Sequence, residues 1–582
     1  MYLNQVSQLN YLPLYPLSDT WLTRSYGVRQ GNFSSIAVKY KGLHVNSVLD
    51  GSLNMIPFWN ISNDMIFLNN GLDARSCSDD FFGHINIESS NSDSSNFNLI
   101  LGGGNIFGGS ILGYKSRSGY LSWQINGEYL TSSGFDISDG SQLFQGIGSD
   151  NSDLSKLCLN GSFGIDDKNS FIFLDFLFSD VSQGFPISES EDFKYFMRNP
   201  DNKTNLINLR FSTLINNIFI LSGNIFYYRN RYIIEKFDNE NMNSYSFQDS
   251  YKKTFEESRY GWNTELLYSG SALPPVKFSL NYAREGIIYQ ANQGLNIENY
   301  MLEKIKMGII IQEDNELLKY IFGFAYKLSN PLSFVPDKVL SSVSNFEYIA
   351  KLSFSVANFT QIYASHSRKA MLPQMYSYYQ SLSESTFLNA EIESAISTNY
   401  EAGLIFGKLG VLSDLLIDGQ ITYFISDVNN LSLPFSFVKY SLESAPSNFT
   451  TDGLELSLVI SHDNYAANFN AIFNFSEILH FDNFGREIIY PRFLLNVGIS
   501  AKYDFGLLIR VNSNIFNNLN SNLKDAEMKK NFTLFNVDIE QKVFNNNSFF
   551  VRAHNITNEY YEIYSGFPMP GASFAAGIRL SF

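Results

Sequence analysis

The sequence predicts an all-β fold: a transmembrane antiparallel up-and-down β-barrel of about 22 strands, preceded by a small N-terminal domain. Three observations predict it. Residues 97–582 contain about 22 segments with strand character. Apolar and polar residues alternate inside these segments, and short and long connections alternate between them along most of the chain. Together these patterns are typical of a barrel that crosses an outer membrane.

The composition favours strands over packed helices. Aromatic residues make up 16% of the 582 residues and charged residues 17%, with few Pro and many Gly, Ser and Asn, a composition suited to strands and turns. No stretch reaches the run of roughly 18 to 20 apolar residues that a membrane-spanning helix needs. This excludes a helical membrane protein but not a barrel, whose strands distribute their apolar residues in alternation.

Charge and motif content exclude several other classes of protein. A net charge of −16 argues against nucleic acid as a partner. Cys77 and Cys158 are far apart, so we expect no disulfide framework and no metal set from them. No Ser-His-Asp order, His-Glu pair or Gly-rich phosphate loop occurs in a setting that supports catalysis. The sequence therefore predicts no enzyme and no cofactor.

Three segments show the strand alternation most clearly: Leu154–Ile165, Ser170–Asp180 and the terminal Ser573–Phe582. In each, one face is apolar and the other is small or polar, as lipid outside and lumen inside require. We expect the following residues to face the lipid: Leu157, Leu159, Phe163, Ile165, Ile172, Leu174, Phe176, Phe178, Phe574, Ala576, Ile578, Leu580 and Phe582.

The connections between strands give a second regularity. Most strands are expected to be near the 9 to 11 residues of a tilted membrane strand. An outer-membrane barrel has short periplasmic turns at one end and long extracellular loops at the other. Predicted short turns are 166–169, 313–316, 461–464, 503–506 and 545–547, and predicted long loops are 132–153, 180–202, 230–257, 368–396, 427–448 and 517–530.

The first 92 residues differ from the rest of the chain. Short apolar strands at Ser35–Tyr40 and Phe82–Ile87 lie among Gly-centred turns, which predicts a small α/β or β domain. The polar run Glu88–Asn96 is a linker by composition. We therefore divide the chain into residues 1–92 and a barrel of residues 93–582.

Several pieces of the second half occur in one order towards the C-terminus. They are Tyr363–Tyr376 with Arg, then Pro, then an aromatic residue; Asn399–Gly403, reading Asn-Tyr-Glu-Ala-Gly; Ile421–Val428 with Tyr-Phe before Asp; Thr451–Ser457 with Gly-Leu-Glu; Val551–Tyr560 with Asn-Ile-Thr-Asn-Glu-Tyr; and Gly566–Gly571 before the last strand. Their order and spacing resemble those of the TonB-dependent receptor family.

The N-terminal part resembles the later portion of the plug domain of that family. The matching plug-motif positions are Arg29, Gly31, Gly42, Asn46, Gly71, Gly83 and Asn86. Lys41 replaces the usual Asp, and the Pro after Gly71 is absent. The first half of a plug, with the energy-coupling box, is not recognised. We expect a partial plug, from either a fragment or a shortened protein, and expect the chain as given to form pores rather than drive energised uptake.

The resemblance implies uptake through the outer membrane of a Gram-negative-type bacterium. The implied ligand is scarce and large, of the ferric siderophore, haem or cobalamin class. The implied partners are outer-membrane lipid, the barrel assembly machinery and, if a full plug exists upstream, the TonB-type inner-membrane energy-coupling complex. Two alternatives remain: a general-diffusion porin, with about 16 to 18 strands, and a degenerate receptor that serves as a surface binding or scaffold protein.

Loop tyrosines are the candidate ligand contacts, because they present flat and rigid surface. We single out Tyr376, Tyr378, Tyr379 and Tyr564. The alternative is an aromatic girdle at the lipid headgroups, which we favour for Tyr560 and Tyr561. His366, His462 and His480 stand alone and are not expected to bind haem, and Asp136, Asp139, Asp150 and Asp153 are more typical of a solvated loop than of a calcium site. Gly577, Leu580 and Phe582 resemble the C-terminal signal for barrel assembly.

Overall fold

The fold was obtained as a computed structural model. It describes residues 36–48, 64–70, 83–89, 96–105, 107–134, 153–167, 169–184, 188–190, 193–237, 251–271, 273–291, 298–315, 317–333, 341–357, 359–375, 392–412, 415–431, 447–475, 491–519, 531–544, 547–564 and 567–582. Within these ranges, no helix has the length and apolar character needed to cross a membrane.

The regular elements of the described residues are β-strands. Their bounds are β1 Ile36–Tyr40, β2 Leu43–His44, β3 Asp64–Asn70, β4 Gly83–Ser89, β5 Asn96–Gly104, β6 Phe107–Ser118, β7 Leu121–Ser132, β8 Leu154–Asp166, β9 Ser170–Gly184, β10 Ser188–Ser190, β11 Phe193–Ile215, β12 Phe219–Phe237, β13 Tyr251–Tyr268, β14 Val276–Ala291, β15 Glu298–Asp314, β16 Leu318–Ser333, β17 Val343–Ala357, β18 Thr360–Met371, β19 Ala395–Leu412, β20 Leu415–Leu431, β21 Ser447–His462, β22 Tyr465–Asn474, β23 Pro491–Lys502, β24 Leu507–Leu519, β25 Phe532–Lys542, β26 Ser548–His554, β27 Glu562–Tyr564, β28 Phe567–Pro568 and β29 Ser573–Ser581.

One antiparallel sheet closes on itself to form a barrel. Its 22 strands are β5 to β9, β11 to β26 and β29, and each pairs with its neighbours in sequence. The last strand closes the sheet against the first, from Ala575 opposite Gly104 to Ser581 opposite Asn98. Closure pairs the backbone groups that an open edge would leave unsatisfied in lipid. The predicted up-and-down barrel is confirmed.

The side chains alternate between the two faces of the wall as the sequence predicts. In β8, Leu157 is 62% exposed, whereas Lys156 is 1% exposed and Cys158 2%. In β9, Leu174 is 43% exposed and Asp175 is fully buried. The exposed apolar face is the lipid side and the buried polar face lines the lumen, which is the arrangement of a membrane barrel.

Strand lengths differ from the prediction of 9 to 11 residues. Strand β11 has 23 residues and β12 has 19. The predicted loop 180–202 is largely paired, with Asp180 opposite Lys203 and Gly184 opposite Arg198. The predicted loop 230–257 is likewise paired at both ends. These boundaries were wrong because the backbone ladder continues beyond the lipid, where neither face needs to be apolar and the alternation disappears.

The connections between strands are mostly short at one end of the barrel and mostly long at the other, as the sequence predicts. At the end that we call the short-turn end, the connections are 119–120, 167–169, 216–218, 269–275, 315–317, 358–359, 413–414, 463–464, 503–506 and 543–547. At the opposite, long-loop end they are 105–106, 133–153, 185–192, 238–250, 292–297, 334–342, 372–394, 432–446, 475–490, 520–531 and 555–572. Two connections blur the separation: 105–106 at the long-loop end is as short as a turn, and 269–275 at the short-turn end is longer than 292–297 at the long-loop end.

The N-terminal strands form a separate four-stranded sheet in the order β2-β1-β4-β3. Strands β1 and β4 pair in parallel, with Ile36 opposite Gly83, and correspond to the two strands predicted there. A two-residue turn, Lys41-Gly42, joins β1 to β2, and its φ angles are 49° and 83°. Positive φ at both positions is the requirement of a type I′ hairpin turn. We call these strands the N-terminal sheet.

The closing seam contains the three residues of the predicted assembly signal. Phe582 exchanges two backbone hydrogen bonds of 2.9 Å with Phe97, and their ring centroids are 6.1 Å apart. Leu580 lies opposite Leu99. A side chain on Gly577 would collide with the ring of Phe550 and the backbone of Leu101. These contacts give each residue a structural role, and recognition by the assembly machinery stays a prediction.

Candidate functional site in the barrel lumen

Residues 41–48, which form the β1–β2 turn, β2 and the segment after it, contact the inner face of β8, β9, β11 and β13 to β15. We call the inner face of β8, β9 and β11 to β15 the anchoring wall, and residues 45–48 the end of the N-terminal sheet. Residues directly opposite one another in a sheet share a face, so inward side chains form rows across the strands. Three rows of the anchoring wall matter here: a lower row Tyr228, Arg259, Glu285 and Leu302; a middle row Asn230, Glu257, Ile287 and Tyr300; and an upper row Tyr232, Phe255 and Tyr289, nearest the long-loop end.

The middle row holds the end of the N-terminal sheet through one carboxylate. Glu257 is fully buried. Its Oε1 accepts a hydrogen bond of 2.7 Å from Ser47 Oγ and its Oε2 one of 3.1 Å from the backbone N–H of Val48. The hydroxyl of Tyr232 donates to Oε1 over 3.2 Å. A buried carboxylate without such donors would be costly, so these bonds fix the position of residues 47 and 48 on the wall.

The lower row binds the same segment through an arginine. Arg259 Nη1 donates to the carbonyl oxygens of His44, at 2.7 Å, and Asn46, at 3.2 Å. Its Nε donates to Glu285 Oε1 over 2.7 Å, and Lys304 Nζ lies 2.9 Å from Glu285 Oε2. The side chains of Arg259, Glu285 and Lys304 are each 3% exposed. Breaking such a buried network by removing one member leaves an uncompensated charge.

Lys41 anchors the opposite side of the N-terminal sheet. Its Nζ donates to Ser162 Oγ over 2.7 Å and lies 3.5 Å from Asp175 Oδ1. Asp175 also accepts hydrogen bonds from Arg210. The carbonyl oxygen of Lys41 accepts a hydrogen bond of 3.0 Å from Asn208 Nδ2. A lysine with positive φ is unfavourable by itself, and this ion pair stabilises it. Lys41, which stands where the family motif has Asp, therefore has its ion-pair partner, Asp175, in the barrel wall.

An apolar cluster joins the N-terminal sheet to the start of the connection 372–394. Val48, Ile287, Tyr300, Leu302 and Met375 form its buried core, with Phe255 and Ile392 packed against it. Lys304 Nζ also donates to Gln374 Oε1 over 3.3 Å. The N-terminal sheet and the first residues of this long connection therefore share both an apolar cluster and the ionic network of Arg259 and Glu285.

The upper row is a run of adjacent aromatic rings on the lumen face, nearer the long-loop end than Glu257, with one stacked pair and one pair tilted by 36°. The ring centroids of Tyr232 and Phe255 are 5.0 Å apart with an interplanar angle of 18°, and those of Phe255 and Tyr289 are 5.2 Å apart. Lys253 Nζ lies 5.9 Å from the centroid of Tyr289. The three rings are half-buried. We call them the aromatic row, and sequence reasoning missed it.

The sequence matches no protein-family model and no curated protein. Solved structures resemble the whole chain. The FrpB iron transporter from Neisseria meningitidis, variant F3-3, has a TM-score of 0.76 at 11% identity, over 100% of this chain and 98% of that one. The copper transporter OprC has 0.78 at 12% identity, over 96% and 93%. The ferric citrate transporter FecA, unliganded, has 0.76 at 12% identity, over 96% and 90%.

The chain has the fold of the TonB-dependent receptors. This is the fold of an integral outer-membrane barrel. The names of the similar structures describe transporters and receptors and no enzymes. At 10 to 12% identity, the likeness establishes the architecture, and the ligand must be argued from the residues of this chain.

Two of the predicted plug residues of this TonB-dependent receptor fold lie at the turn and end of the N-terminal hairpin. Gly42 supplies the positive φ of the turn. Asn46 is buried and its Oδ1 accepts a hydrogen bond of 2.8 Å from the backbone N–H of Val38. Gly83 and Asn86 lie in β4 opposite Ile36 and Lys39. Arg29, Gly31 and Gly71 lie outside the described residues. Their function in a plug stays a prediction.

The predicted ligand tyrosines are not brought together by the described structure. Tyr376, Tyr378 and Tyr379 lie outside the described residues, and Tyr564 ends β27 opposite Phe567. Tyr561 is 2% exposed and packs on Phe532 at 4.9 Å. Its burial raises the pKa of its hydroxyl. The girdle interpretation is wrong for Tyr561, because a girdle residue faces the lipid headgroups.

The isolated histidines have ordinary positions. His366 stacks on Tyr400 at 4.5 Å and meets the edge of Tyr348 at 5.3 Å, on the outer face of the barrel. His462 is exposed beside the short turn 463–464, and His480 lies outside the described residues. The described ranges hold no group of three or more His, Cys, Asp or Glu that could bind a metal ion. Of the four loop aspartates, the structure describes Asp153.

Proposed function

We propose that the chain is an outer-membrane receptor that binds a scarce, large ligand of the ferric siderophore, haem or cobalamin class and admits it to the periplasm. The observation that carries the proposal is a folded N-terminal sheet inside a 22-stranded barrel, held by the buried ion pair of Lys41 with Asp175 and by hydrogen bonds from Arg259 to the carbonyl oxygens of His44 and Asn46. A barrel of this size has a lumen too wide to be filled by its own side chains. An internal domain that occludes it is what a gated transporter requires, whereas a porin of about 16 to 18 strands leaves an open channel.

The aromatic row supports a ligand-binding function. Tyr232, Phe255 and Tyr289 offer a flat and rigid surface at low conformational cost. Lys253 adds one positive charge at its end. A flat anionic ligand, such as haem or an aryl siderophore with its ferric ion, suits this combination better than a cobalamin does.

The coupling of binding to passage follows from the shared contacts beneath the row. A ligand on the aromatic row lies next to Phe255, which packs on the cluster that also contains Val48 and Met375. A periplasmic partner of the TonB type would have to break the bonds of Lys41, Glu257 and Arg259 in order to move the N-terminal sheet. The chemistry is binding and displacement and needs no acid-base catalysis.

An uptake assay tests the proposal. Cells that lack their own receptors would express the chain and receive haemin, a ferric catecholate siderophore or cyanocobalamin, each labelled. We expect uptake of one of the three and not of the other two. Loss of this uptake on addition of a protonophore would contradict the expectation, drawn from the partial plug, that the chain as given does not drive energised uptake. Equal entry of all three without an effect of the protonophore would indicate a porin. Saturable binding without entry would indicate a surface binding protein.

Substitutions in the aromatic row test the binding site separately from transport. Phe255→Ala removes the central ring and should weaken binding of the transported ligand about tenfold, as for a buried anchor residue. Tyr260→Ala is the matched control, because Tyr260 lies on the same strand but faces outwards with 42% exposure. Equal affinities of the two variants would place the ligand elsewhere.

A further inference from the structure

A second group of charged side chains lies on the inner wall near the closing seam, away from the anchoring wall. Arg510, Asp538 and Arg552 lie directly opposite one another in β24, β25 and β26. They face the lumen, because their neighbours Val511 and Val551 are 41% and 49% exposed on the lipid side. All three are half-buried. We call them the arginine rung.

The next lumen-facing residue of β25 after Asp538 is Glu540, which forms an ion pair with Arg579 of β29. Arg579 Nη1 lies 2.9 Å from Glu540 Oε1, which also accepts a hydrogen bond of 2.8 Å from Ser548 Oγ. Glu540 is therefore compensated by Arg579. Its charge is not left over for the arginine rung.

The arginine rung is not compensated in the same way. Asp538 Oδ1 is buried without a hydrogen-bond partner. The guanidinium of Arg552 lies over the ring of Phe550 at 4.9 Å. Among the described residues, neither Arg510 nor Arg552 forms an ion pair with a carboxylate, although each lies opposite Asp538 in the sheet. Two half-buried guanidiniums therefore flank the Asp538 carboxylate, and neither of them forms an ion pair with it.

The charge balance defines what the arginine rung can bind. The two arginines and one aspartate leave one positive charge, and the Arg579–Glu540 pair adds none. Partly buried charge is stabilised by an opposite charge. A guanidinium presents its donors in a planar fork that matches the two oxygens of a carboxylate. A single negative charge fits this balance better than the dianion of a phosphate, which Asp538 would repel.

We propose that Arg510 and Arg552 form an anion-binding site on the lumen wall that takes one carboxylate group of a small molecule. Arg510 and Arg552 supply the donors, and Asp538 between them limits the site to a single negative charge. The site lies in the half of the lumen towards the short-turn end, since Arg510 follows the turn 503–506 closely. It does not depend on the nature of the ligand that binds the aromatic row.

Fluorine NMR with trifluoroacetate tests the site on the full chain in an uncharged detergent. The purified protein should broaden the fluorine signal saturably, and acetate should reverse the broadening. Arg510→Gln and Arg552→Gln should each weaken binding about tenfold, because each removes charge-assisted hydrogen bonds. Arg117→Gln is the matched control, since Arg117 lies near a short turn 3.7 Å from Asp166 and should have no effect.

A variant with the opposite expected effect separates binding from misfolding. Asp538→Asn removes the negative charge between the arginines and should tighten trifluoroacetate binding about tenfold. All variants should keep the shift in gel mobility on boiling that marks a closed barrel. Equal affinities of the wild type and both arginine variants would overturn the proposal. Tighter competition by phosphate than by acetate would overturn the carboxylate assignment.

Discussion

The anchoring wall and the inner face of β21 to β25 belong to one sheet and differ in the bonds that they form. On the anchoring wall, Asp175, Glu257 and Glu285 are buried. Asp175 pairs with Lys41, Glu257 accepts from the backbone N–H of Val48, and Glu285 pairs with Arg259, which in turn binds the carbonyl oxygens of His44 and Asn46. On the inner face of β21 to β25, which we call the amide wall, the asparagines Asn468, Asn496 and Asn514 bond to one another across strands, outside the charged arginine rung. Asn496 Nδ2 donates to Asn514 Oδ1 over 2.6 Å, and Asn496 Oδ1 accepts from Asn468 Nδ2 over 3.4 Å.

This difference distinguishes a surface that holds one partner from a surface that can change partners. Removing one member of a buried ion pair costs about 3 to 5 kcal/mol. A neutral hydrogen bond contributes only about 0.5 to 1.5 kcal/mol net, and water replaces it at little cost. The anchoring wall therefore fixes the N-terminal sheet, whereas the amide wall can exchange its bonds with water or with the polar groups of a ligand.

The largest effect is expected from Asp175→Ala. This change leaves Lys41 and Arg210 buried or half-buried without their carboxylate, at a cost of about 3 kcal/mol or more. The N-terminal sheet should detach in a larger fraction of molecules. Trypsin cleavage after Lys39 and Lys41 should accelerate by about a hundredfold, because cleavage follows the open population. Mass spectrometry of the fragments measures the rate.

The control for this variant is Asp166→Ala. Asp166 pairs with Arg117 at 3.7 Å, but its side chain is 35% exposed. An exposed pair contributes little, so cleavage should stay at the wild-type rate. Acceleration by both variants would mean that the barrel as a whole is loosened.

A smaller effect is expected from Glu285→Gln. The amide keeps an acceptor for Arg259 but no longer neutralises Arg259 and Lys304. Loss of the charge should increase trypsin cleavage after Lys41 about tenfold. The amides of residues 372–375 should also exchange faster, since Lys304 reaches Gln374. Glu265→Gln is the control on β13, because the Glu265 side chain is 41% exposed. Unchanged exchange at 372–375 would contradict the shared network.

The barrel could be predicted from the sequence, whereas the contacts of its lumen could not. The alternation of Leu157 with Lys156 is a local pattern that an isolated segment shows. The contact of Lys41 with Ser162 spans 121 residues and that of Ser47 with Glu257 spans 210. Such pairs depend on the position of the N-terminal sheet in the lumen, about which no local pattern carries information.

The aromatic row illustrates the same limit. Tyr232, Phe255 and Tyr289 lie in three strands, and their stacking depends on the register of two hairpins. A shift of one residue in either register would place a ring on the outer face. The sequence shows many aromatic residues and does not show which of them share a row.

On the amide wall, Gly498→Ala should have a modest effect. A side chain there would collide with the amide ends of Asn468 and Asn512, which can rotate away. We expect a loss of about 1 kcal/mol in the free energy of unfolding, from the hydrogen bonds that are displaced. Gly261→Ala on the anchoring wall should cost more, because its Cβ would meet the backbone of Tyr282 and Ala283. Urea titration in detergent compares the two, and an equal loss would remove this distinction.

The smallest effect is expected from Asn496→Ala. It breaks the hydrogen bonds to Asn468 and Asn514. Because water can replace these bonds, the free energy of unfolding should fall by only about 0.5 kcal/mol. Trypsin cleavage after Lys41 should not change. Asn224→Ala is the matched variant on the anchoring wall. Asn224 bonds to Asn208, which in turn donates to the carbonyl of Lys41, so its loss should increase that cleavage. Faster cleavage in Asn496→Ala than in Asn224→Ala would contradict the roles given to the two walls.

Hydrogen exchange of β1 and β4 tests most directly whether the anchoring wall alone holds the N-terminal sheet. The amides of residues 36–40 and 83–89 would be followed by mass spectrometry in the wild type, Asp175→Ala and Asn496→Ala. We predict slow exchange in the wild type and in Asn496→Ala, and exchange about a hundredfold faster in Asp175→Ala. Equal acceleration in both variants, or none in Asp175→Ala, would contradict the account.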